Sequence, residues 1–402
     1  MHPRTLILIA CLAFIAAAPP APAAEPAAPF GEWLKGLRAE ARSKGLSDEF
    51  LDKALAGVQP IGRVIELDRR QPEFTLTFWK YLDNNVNDLR IRKGQALLAK
   101  HQDVLNKTAE RFGVQPRFIV AFWGLETNYG EFFGSFPLVG ALATLAHDPR
   151  RSGFFREQLL AALSIMARGD VPVTTTGSWA GAMGNFQFIP TTYRDFAVDA
   201  DGDGRRDLWS SYPDMFASAA NYLARSGWRK NWSWGREVRL PEGFSLEHAG
   251  LNVRKSIAEW KRLGVRRTDG SELPDEQTDA SVVLPAGYEG PTFLIYQNYR
   301  AILRWNRSLL YAVAVGHLAD RLVGAGPLRS PRPVQEVPLS RADIRDLQQL
   351  LADKGFFAGG VDGVVGPETR KAIRAYQRRV HLPPDGYPTT GLLERLRGTT
   401  GG

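Results

Sequence analysis

The most informative stretch of the chain is PRFIVAFWGLETNYG, residues 116–130. Proline is favoured at the first position of a helix and glycine just past its end, so Pro116 and Gly130 mark the limits of a short helix. Counting back from Glu126, apolar residues occupy positions i−3, i−4 and i−7, which share one helix face. The pattern therefore predicts a helix that carries one carboxylate on its apolar face, near its C-terminal end.

This placement gives Glu126 a candidate chemical role. Burial and the negative end of the helix dipole both disfavour a charged carboxylate, so we expect a raised pKa for Glu126. A carboxyl group that is protonated near neutral pH can donate a proton to a leaving group. The alternative is a glutamate in a frayed last turn that faces water, and this segment alone leaves both interpretations open.

Length and composition limit the class of protein. The chain has 402 residues, of which 44% are hydrophobic and 23% charged, which is typical of a globular protein with about two or three domains. A formal net charge of +8 suits an anionic partner, such as nucleic acid, a membrane surface or a cell-wall polymer. Because no Lys/Arg-rich run with interleaved aromatics is present, we expect no nucleic-acid partner.

The N-terminal residues have the pattern of an export signal. Arg4 precedes an apolar run of thirteen residues, 6–18, and Ala21-Pro22-Ala23 offers small residues for cleavage. We assign residues 1–23 to the signal peptide and residues 24–29 to an Ala/Pro spacer. Cys11 is the only cysteine and lies within the apolar run, so the mature chain would have no disulfide. Since the run continues past Cys11, we expect no lipid anchor.

The remaining chain is mainly helical, with one region of strand character. Helical patterns recur between residues 30 and 226, with Ser47 as an N-cap, and again over residues 299–322. Short β-rich runs at 236–240, 280–284 and 292–296 predict a small β-containing insertion. A Pro-rich linker at 326–338 separates a larger region, 30–325, from a compact C-terminal unit at 339–398. The fold class is therefore mainly α (α+β).

A second cluster, GSWAGAMGNFQFIPTTY, covers residues 177–193. Its small residues would let a ligand approach the backbone closely. Polar side chains, namely Ser178, Asn185 and Gln187, alternate with aromatic ones, a mixture that suits the hydroxyls and C–H faces of sugar rings. A tight packing corner explains the same composition equally well.

A third cluster resembles the first half of an EF-hand calcium loop, with Asp at loop positions 1, 3 and 5 and Gly at position 6. Position 12 is Ser210, so a bidentate carboxylate must come from elsewhere. We expect a structural Ca²⁺ site, and the alternative is an acidic turn without metal. The predicted ligands are Asp199, Asp201, Asp203, Asp214 and the backbone carbonyl of Arg205. Zinc-hydrolase, Walker A and Gly-x-Ser-x-Gly patterns are absent from the sequence.

Taken together, these clusters resemble the membrane-bound lytic murein transglycosylase B family, a lysozyme-like group, over residues 30–325. The matching positions are 122–130, 141–146, 180–184, 187–188, 190, 201–204, 208–209, 221–223, 298–299 and 304–306. The resemblance implies a lysozyme-like helical core and a single catalytic carboxyl group, Glu126, that acts first as a general acid and then as a base. It also implies sugar contacts at Ser178, Gln187, Tyr222, Asn298, Tyr299 and Asn306.

The implied reaction cleaves the β-1,4 bond between N-acetylmuramic acid and N-acetylglucosamine and leaves a 1,6-anhydro end. A hydrolytic muramidase and a non-catalytic wall-binding scaffold are the alternatives. The expected partners are peptidoglycan glycan strands and other wall-remodelling proteins, and the expected location is the periplasm, where the protein is soluble or loosely attached to the wall.

The C-terminal unit resembles a three-helix peptidoglycan-binding domain. The resemblance rests on Gln348, Gly355-Phe356, Asp362-Gly363, Tyr376-Gln377 and Asp385-Gly386. The stretch after Asp385 departs from the usual glycine pattern, and we expect the fold to survive this departure.

Overall fold

The structure, a computed structural model, describes residues 28–69, 76–333 and 337–398. The predicted signal peptide and most of the spacer lie outside these residues, as do three positions of the predicted linker. The described residues form two compact units. The first comprises residues 28–69 and 89–230, and the second comprises residues 76–88, 231–333 and 337–398. The division at residue 230 thus falls inside the region that the sequence assigned to one catalytic domain.

The described residues contain seventeen α-helices and seven short strands. The helices are α1 (Phe30–Ser43), α2 (Asp48–Ala54), α3 (Gly62–Arg69), α4 (Phe78–Asn85), α5 (Asp88–Lys100), α6 (Gln102–Phe112), α7 (Pro116–Thr127), α8 (Leu138–His147), α9 (Ser152–Ala167), α10 (Pro190–Phe196), α11 (Tyr212–Arg225), α12 (Ile257–Arg262), α13 (Gln297–Trp305), α14 (Leu309–Leu322), α15 (Arg341–Asp353), α16 (Pro367–Arg379) and α17 (Thr390–Arg397). The strands are β1 (Phe136–Pro137), β2 (Thr176–Gly177), β3 (Gly235–Arg239), β4 (Lys255–Ser256), β5 (Arg266–Arg267), β6 (Asp279–Val283) and β7 (Thr292–Ile295). The mainly α fold class is confirmed.

Helix α7 lies at the centre of the first unit. It begins at Pro116, as predicted, and every residue from Phe118 to Leu125 is buried. The sequence predicted that one face of this helix is buried, but the structure buries nearly all of its sides. Helices α6 and α11 pack against it, and α8 packs against α9 in the same unit. A helix that is apolar all round belongs in a core, so α7 holds its C-terminal end in a fixed place.

The second unit contains a five-stranded antiparallel sheet in the order β4-β6-β7-β3-β5. Val282 of β6 and Arg236 of β3 both pair with Leu294 of the central strand β7. The three predicted strands are thus confirmed to within a residue. The helical pattern predicted over 299–322 is divided between two helices, because α13 ends at Trp305 and α14 starts anew after Ser308. The hydroxyl of Ser308 caps α14 by accepting from the backbone N–H of Tyr311 at 3.3 Å.

The C-terminal residues form the predicted three helices, α15 to α17, around a core of their own. The side-chain amide of Gln348 donates to Asp362 at 2.9 Å and accepts from the next N–H at 2.8 Å. Gln377 does the same with Asp385, at 2.7 and 2.9 Å. Both halves of the domain have the same pair of hydrogen bonds between a glutamine and an Asp-Gly turn, so the departure after Asp385 leaves the fold intact. Among the helices of the described residues, none is both long and apolar enough to cross a membrane.

Candidate active site

The helix that carries Glu126 ends in an unusual turn. Glu126 is half-buried and precedes the last helical residue, Thr127. Asn128, Tyr129 and Gly130 then follow in left-handed conformation, with φ of 51°, 64° and 83°. Such a conformation costs about 1–3 kcal/mol for a residue other than glycine, and it persists only where the surroundings impose it. The two such residues that follow Thr127 therefore mark a turn that the rest of the unit must hold in place.

Side chains of α5 hold this turn. The ammonium of Lys93 donates to the carbonyl of Asn128 at 2.9 Å and pairs with Glu131 at 2.6 Å. The guanidinium of Arg90 donates to the Asn128 side chain at 3.3 Å, and the Tyr129 hydroxyl donates to the Arg90 carbonyl at 2.9 Å. Asn128 donates in turn to the other oxygen of Glu131. Lys93 holds the pKa of Glu131 below its ordinary value, so Glu131 is ionised at neutral pH and cannot serve as a second proton donor.

The buried side chain of Asn185 joins α7 to the second cluster. Its carbonyl oxygen accepts from the indole N–H of Trp123 at 2.7 Å. Its amide nitrogen donates to the carbonyls of Leu208 and Trp209 at 3.0 and 2.8 Å. Its backbone carbonyl accepts from the Thr127 hydroxyl at 2.9 Å. Sequence reasoning placed Asn185 among the polar residues of the cluster but gave it no role.

The glycines of the second cluster serve internal packing. A Cβ on Gly181 would lie 2.3 Å from the Leu142 side chain, and one on Gly184 would lie 2.8 Å from Leu208. Both glycines also have positive φ, of 84° and 70°. The space beside them is occupied by the protein itself, so the packing-corner interpretation explains these two positions, and the ligand interpretation is not needed for them.

Three predicted sugar contacts lie in the first unit with Glu126. The Ser178 hydroxyl accepts from the N–H of Ala182 at 2.9 Å. Gln187 has a φ of 49°, and its amide donates to the carbonyls of Phe133 and Gly184 at 3.3 and 3.1 Å. The half-buried Tyr222 lies with its ring 6.0 Å from Phe188 and 4.8 Å from Phe196.

The other three lie in the second unit, on or just after α13. Asn298 is fully buried and donates to the Trp232 carbonyl at 2.9 Å. Tyr299 is also fully buried, its hydroxyl donates to the Leu309 carbonyl at 3.1 Å, and burial raises its pKa. The side-chain oxygen of Asn306 accepts from the backbone N–H of Ser308 at 3.0 Å. Their roles, like those of the first-unit residues, stay predictions.

The predicted metal ligands converge. One carboxylate oxygen each from Asp199, Asp201, Asp203 and Asp214 lie within 4.8 Å of one another. Asp214, in the first turn of α11, is fully buried, and it accepts backbone N–H groups from Ala200 at 2.7 Å and from Asp207 at 2.8 Å. Within the described residues, no Lys or Arg side chain pairs with these four carboxylates. Burial raises the pKa of Asp214, and the negative charge of Asp201 adds to this effect. Such a set of hard, mutually repelling oxygens fits a divalent cation such as Ca²⁺.

Sequence reasoning missed Asp207, which shapes the end of this loop. Its carboxylate accepts from the N–H groups of Trp209 and Ser210 at 2.7 and 3.0 Å, and from the Ser210 hydroxyl. Although burial works to raise the pKa of Asp207, these donors hold it below its ordinary value. The Asp-x-x-Ser spacing was a signal that could have identified this turn.

Comparisons with known proteins agree with this architecture. Residues 29–320 match the model of the transglycosylase SLT domain, and residues 340–396 match that of a peptidoglycan binding domain. The membrane-bound lytic murein transglycosylase B of Escherichia coli (strain K12) is 33% identical over 249 residues, which are 60% of this chain and 66% of the relative. The chain thus spans just under two thirds of that relative's length.

Solved structures give the same result. A crystal structure of SltB3 from Pseudomonas aeruginosa, in complex with NAG-anhNAM-pentapeptide, is 49% identical with a TM-score of 0.89, and the similarity covers 92% of this chain and 99% of that one. The Escherichia coli lytic transglycosylase Slt35, in complex with calcium, is 26% identical with a TM-score of 0.62, over 73% of this chain and 93% of that one.

Fold, site and comparisons together define the class, which is a lytic transglycosylase region followed by a peptidoglycan binding domain. Within that class, the chain belongs to the transglycosylase SLT domain family.

Proposed function

We propose that this protein is a lytic murein transglycosylase that cleaves the β-1,4 bond between N-acetylmuramic acid and N-acetylglucosamine, with Glu126 as its acid and base. The observation that carries the proposal is the half-buried Glu126 at the braced end of α7, in a chain 49% identical to SltB3. SltB3 binds NAG-anhNAM-pentapeptide, which contains the anhydro sugar that such a reaction forms.

The reaction needs one carboxyl group where ordinary glycosidases use two. Glu126 donates its proton to the glycosidic oxygen, the C1–O bond breaks, and an oxocarbenium-like state forms on the muramyl ring. The resulting Glu126 carboxylate then takes the proton of the muramyl C6 hydroxyl as that oxygen attacks C1. The ring closes as a 1,6-anhydro sugar, and Glu126 regains its proton. The nucleophile, the C6 hydroxyl, belongs to the same sugar and is already close to C1, so the reaction needs no bound water as nucleophile.

The loop of residues 199–214, which we call the Asp loop, would hold Ca²⁺ in a structural role. Asp199, Asp201, Asp203 and Asp214 would supply carboxylate oxygens, and Arg205 its backbone carbonyl. The ion would neutralise the charge of the four converging carboxylates and hold the 199–214 loop in one conformation. The complex of Slt35 with calcium supports this assignment.

The C-terminal domain would keep the enzyme on its substrate. A second binding module on the same chain raises the local concentration of the polymer at the catalytic region. Export to the periplasm follows from the signal-like residues 1–23 and from a wall polymer as substrate. There the chain would be soluble or loosely attached to the wall, and other wall-remodelling proteins are its expected neighbours.

Product analysis of purified cell-wall sacculi tests this proposal. We expect muropeptides that are one water lighter than hydrolytic products and have no reducing end. Glu126→Gln should lower the rate by about 10²–10⁴-fold, the usual contribution of a general acid. The exposed Glu110 of the first unit gives a matched control, Glu110→Gln, which should keep full activity. Products with reducing ends would establish a muramidase, and wild-type protein that binds sacculi without cutting them would establish a scaffold.

A further inference from the structure

Asn185 is the point at which three segments of the first unit meet. Its side chain is 2% exposed, and its polar atoms make three hydrogen bonds within 3.0 Å, one to Trp123 and two to the backbone of residues 208 and 209. Its own backbone N–H also donates to the Leu208 carbonyl, at 2.8 Å. A buried amide whose oxygen and nitrogen are both hydrogen-bonded in this way fixes the relative position of the segments that it joins.

One side of this junction is the last turn of α7. Trp123 lies three residues before Glu126 and Thr127 directly after it, so both belong to the turn that carries the acid. Trp123 bonds to the side chain of Asn185, and Thr127 bonds to its backbone carbonyl. The Thr127 hydroxyl also accepts from the N–H of Gly130 at 3.0 Å, which links the junction to the left-handed turn.

The other side of the junction is the Asp loop. The N–H of Trp209 donates to the carboxylate of Asp207, and the N–H of Asp207 donates to the carboxylate of Asp214 at 2.8 Å. Asp214 is the buried member of the four converging carboxylates. A continuous hydrogen-bonded path therefore runs from the predicted cation ligands, through residues 207–209 and Asn185, to the turn that bears Glu126.

We infer that Asn185 is a positioning residue that transmits the conformation of the Asp loop to the catalytic turn of α7. The kinetic test of this inference rests on the proposed function. The structural test rests only on the hydrogen-bonded path. When the loop tightens around a cation, the carbonyls of residues 208 and 209 move with it, and Asn185 carries that displacement to Trp123. A purely structural amide would lower stability when removed but would not link these two regions.

The kinetic test compares Asn185→Ala with a variant that loses a different buried amide. Gln158 is 1% exposed and accepts from the N–H and hydroxyl of Thr191, both at 3.0 Å, so Gln158→Ala serves as the matched control. We expect Asn185→Ala to lower kcat roughly 10- to 100-fold with little change in KM, because a small displacement of a catalytic group is costly. Gln158→Ala should lose comparable stability and keep its kcat.

Asn185→Asp separates the two sides of the junction. It keeps an oxygen that accepts from Trp123 but loses the N–H donors to residues 208 and 209. If the path matters, the kcat of this variant falls although the bond to Trp123 survives. This variant also keeps the inference testable if Asn185→Ala does not fold.

A readout independent of turnover is the NMR signal of the Trp123 indole N–H. Titration of wild-type protein with Ca²⁺ alone should shift this signal in step with the backbone N–H signals of residues 202 and 204. In the Asn185 variants the loop signals should still shift and the Trp123 signal should not. The inference is overturned if Trp123 ignores Ca²⁺ in wild type, if it responds equally in the variants, or if kcat falls only as much as in Gln158→Ala. Loss of the proposed reaction would instead appear as inactive wild-type protein with the Trp123 response intact.

Discussion

The turn after α7 and the loop before α11 each place carboxylates at the end of a buried helix. They differ in how the negative charge of these carboxylates is balanced. In the turn, Glu131 has a cation of the protein itself, because Lys93 lies 2.6 Å away and lowers its pKa. In the loop, four carboxylate oxygens lie within 4.8 Å of one another, and the part of the chain that the structure describes supplies no Lys or Arg partner for them. Burial together with a neighbouring charge raises the pKa of Asp214.

This difference separates a preformed region from one that requires a ligand. In the turn that follows Glu126, Lys93 balances the charge of Glu131, so the turn needs no ion of its own from solution, and Ca²⁺ should reach it only through the loop and Asn185. The loop is complete only when its charge is balanced, either by protons or by a cation from outside. The loop should therefore respond directly to Ca²⁺ and to the removal of its carboxylates, whereas the stability of the turn should depend on Lys93 and on pH.

The largest expected effect is the loss of Ca²⁺-dependent stability when loop carboxylates are removed. A ligand at 100 times its dissociation constant stabilises the folded state by about 2.7 kcal/mol. We expect Ca²⁺ to raise the unfolding temperature of the wild type accordingly, and we expect Asp201→Asn combined with Asp203→Asn to abolish the rise. Thermal unfolding with and without Ca²⁺ measures this.

The control for this experiment is Asp103→Asn, which removes an exposed carboxylate from α6 in the same unit. It should leave the response to Ca²⁺ unchanged. A double variant that still gains the full stability from Ca²⁺ would show that the ion binds elsewhere, and the contrast between loop and turn would then lose its basis.

A smaller effect is expected from Lys93→Met, which removes the internal cation of the turn. The loss of a charged hydrogen bond to Asn128 and of a partly exposed ion pair to Glu131 should cost about 1–2 kcal/mol of unfolding free energy at neutral pH. Urea unfolding measures this cost. The exposed Lys107 of α6 gives the control Lys107→Met, which should change little.

The pH dependence gives Lys93→Met a second readout. Since the folded pKa of Glu131 is lowered, the pair stabilises the wild type above the unfolded pKa of Glu131, and this contribution disappears as pH falls through the folded value. The difference between wild type and Lys93→Met should therefore shrink in acid. If instead the difference is the same at neutral and acid pH, Lys93 contributes through packing, and the turn is not neutralised as we describe.

The sequence predicted the elements whose determinants are local. Pro116 and the apolar spacing placed α7, and the Asp-x-Asp-x-Asp-Gly pattern grouped carboxylates that the structure brings together. The break between α13 and α14 was missed, although Ser308 is a good N-cap, because the apolar pattern runs through it. The left-handed turn at residues 128–130 was recognised only through its glycine.

What the sequence could not show is long-range pairing. Lys93 reaches Asn128 across 35 residues of chain, and Asn185 reaches Trp123 across 62. Neither pair has a spacing pattern that a single sequence reveals, because tertiary packing alone brings them together. The sequence therefore sufficed to propose Glu126 as the acid, but not to predict the residues that hold its turn in place.

The smallest expected effect concerns the pH dependence of the stability that the Asp loop contributes. Burial and the charge of Asp201 raise the folded pKa of Asp214, although the N–H groups of Ala200 and Asp207 oppose the shift. For an acid with a raised folded pKa, the stabilising contribution is complete below the unfolded pKa and is lost as pH rises through the folded one. Metal-free protein should thus lose this contribution toward neutral pH. In the proposed site Ca²⁺ would bind the ionised carboxylates, so the gain in unfolding temperature on adding Ca²⁺ should be small near pH 4 and grow toward pH 7. A gain that is constant over this range would mean that no protons leave when the ion binds, and the loop carboxylates would then not be its ligands.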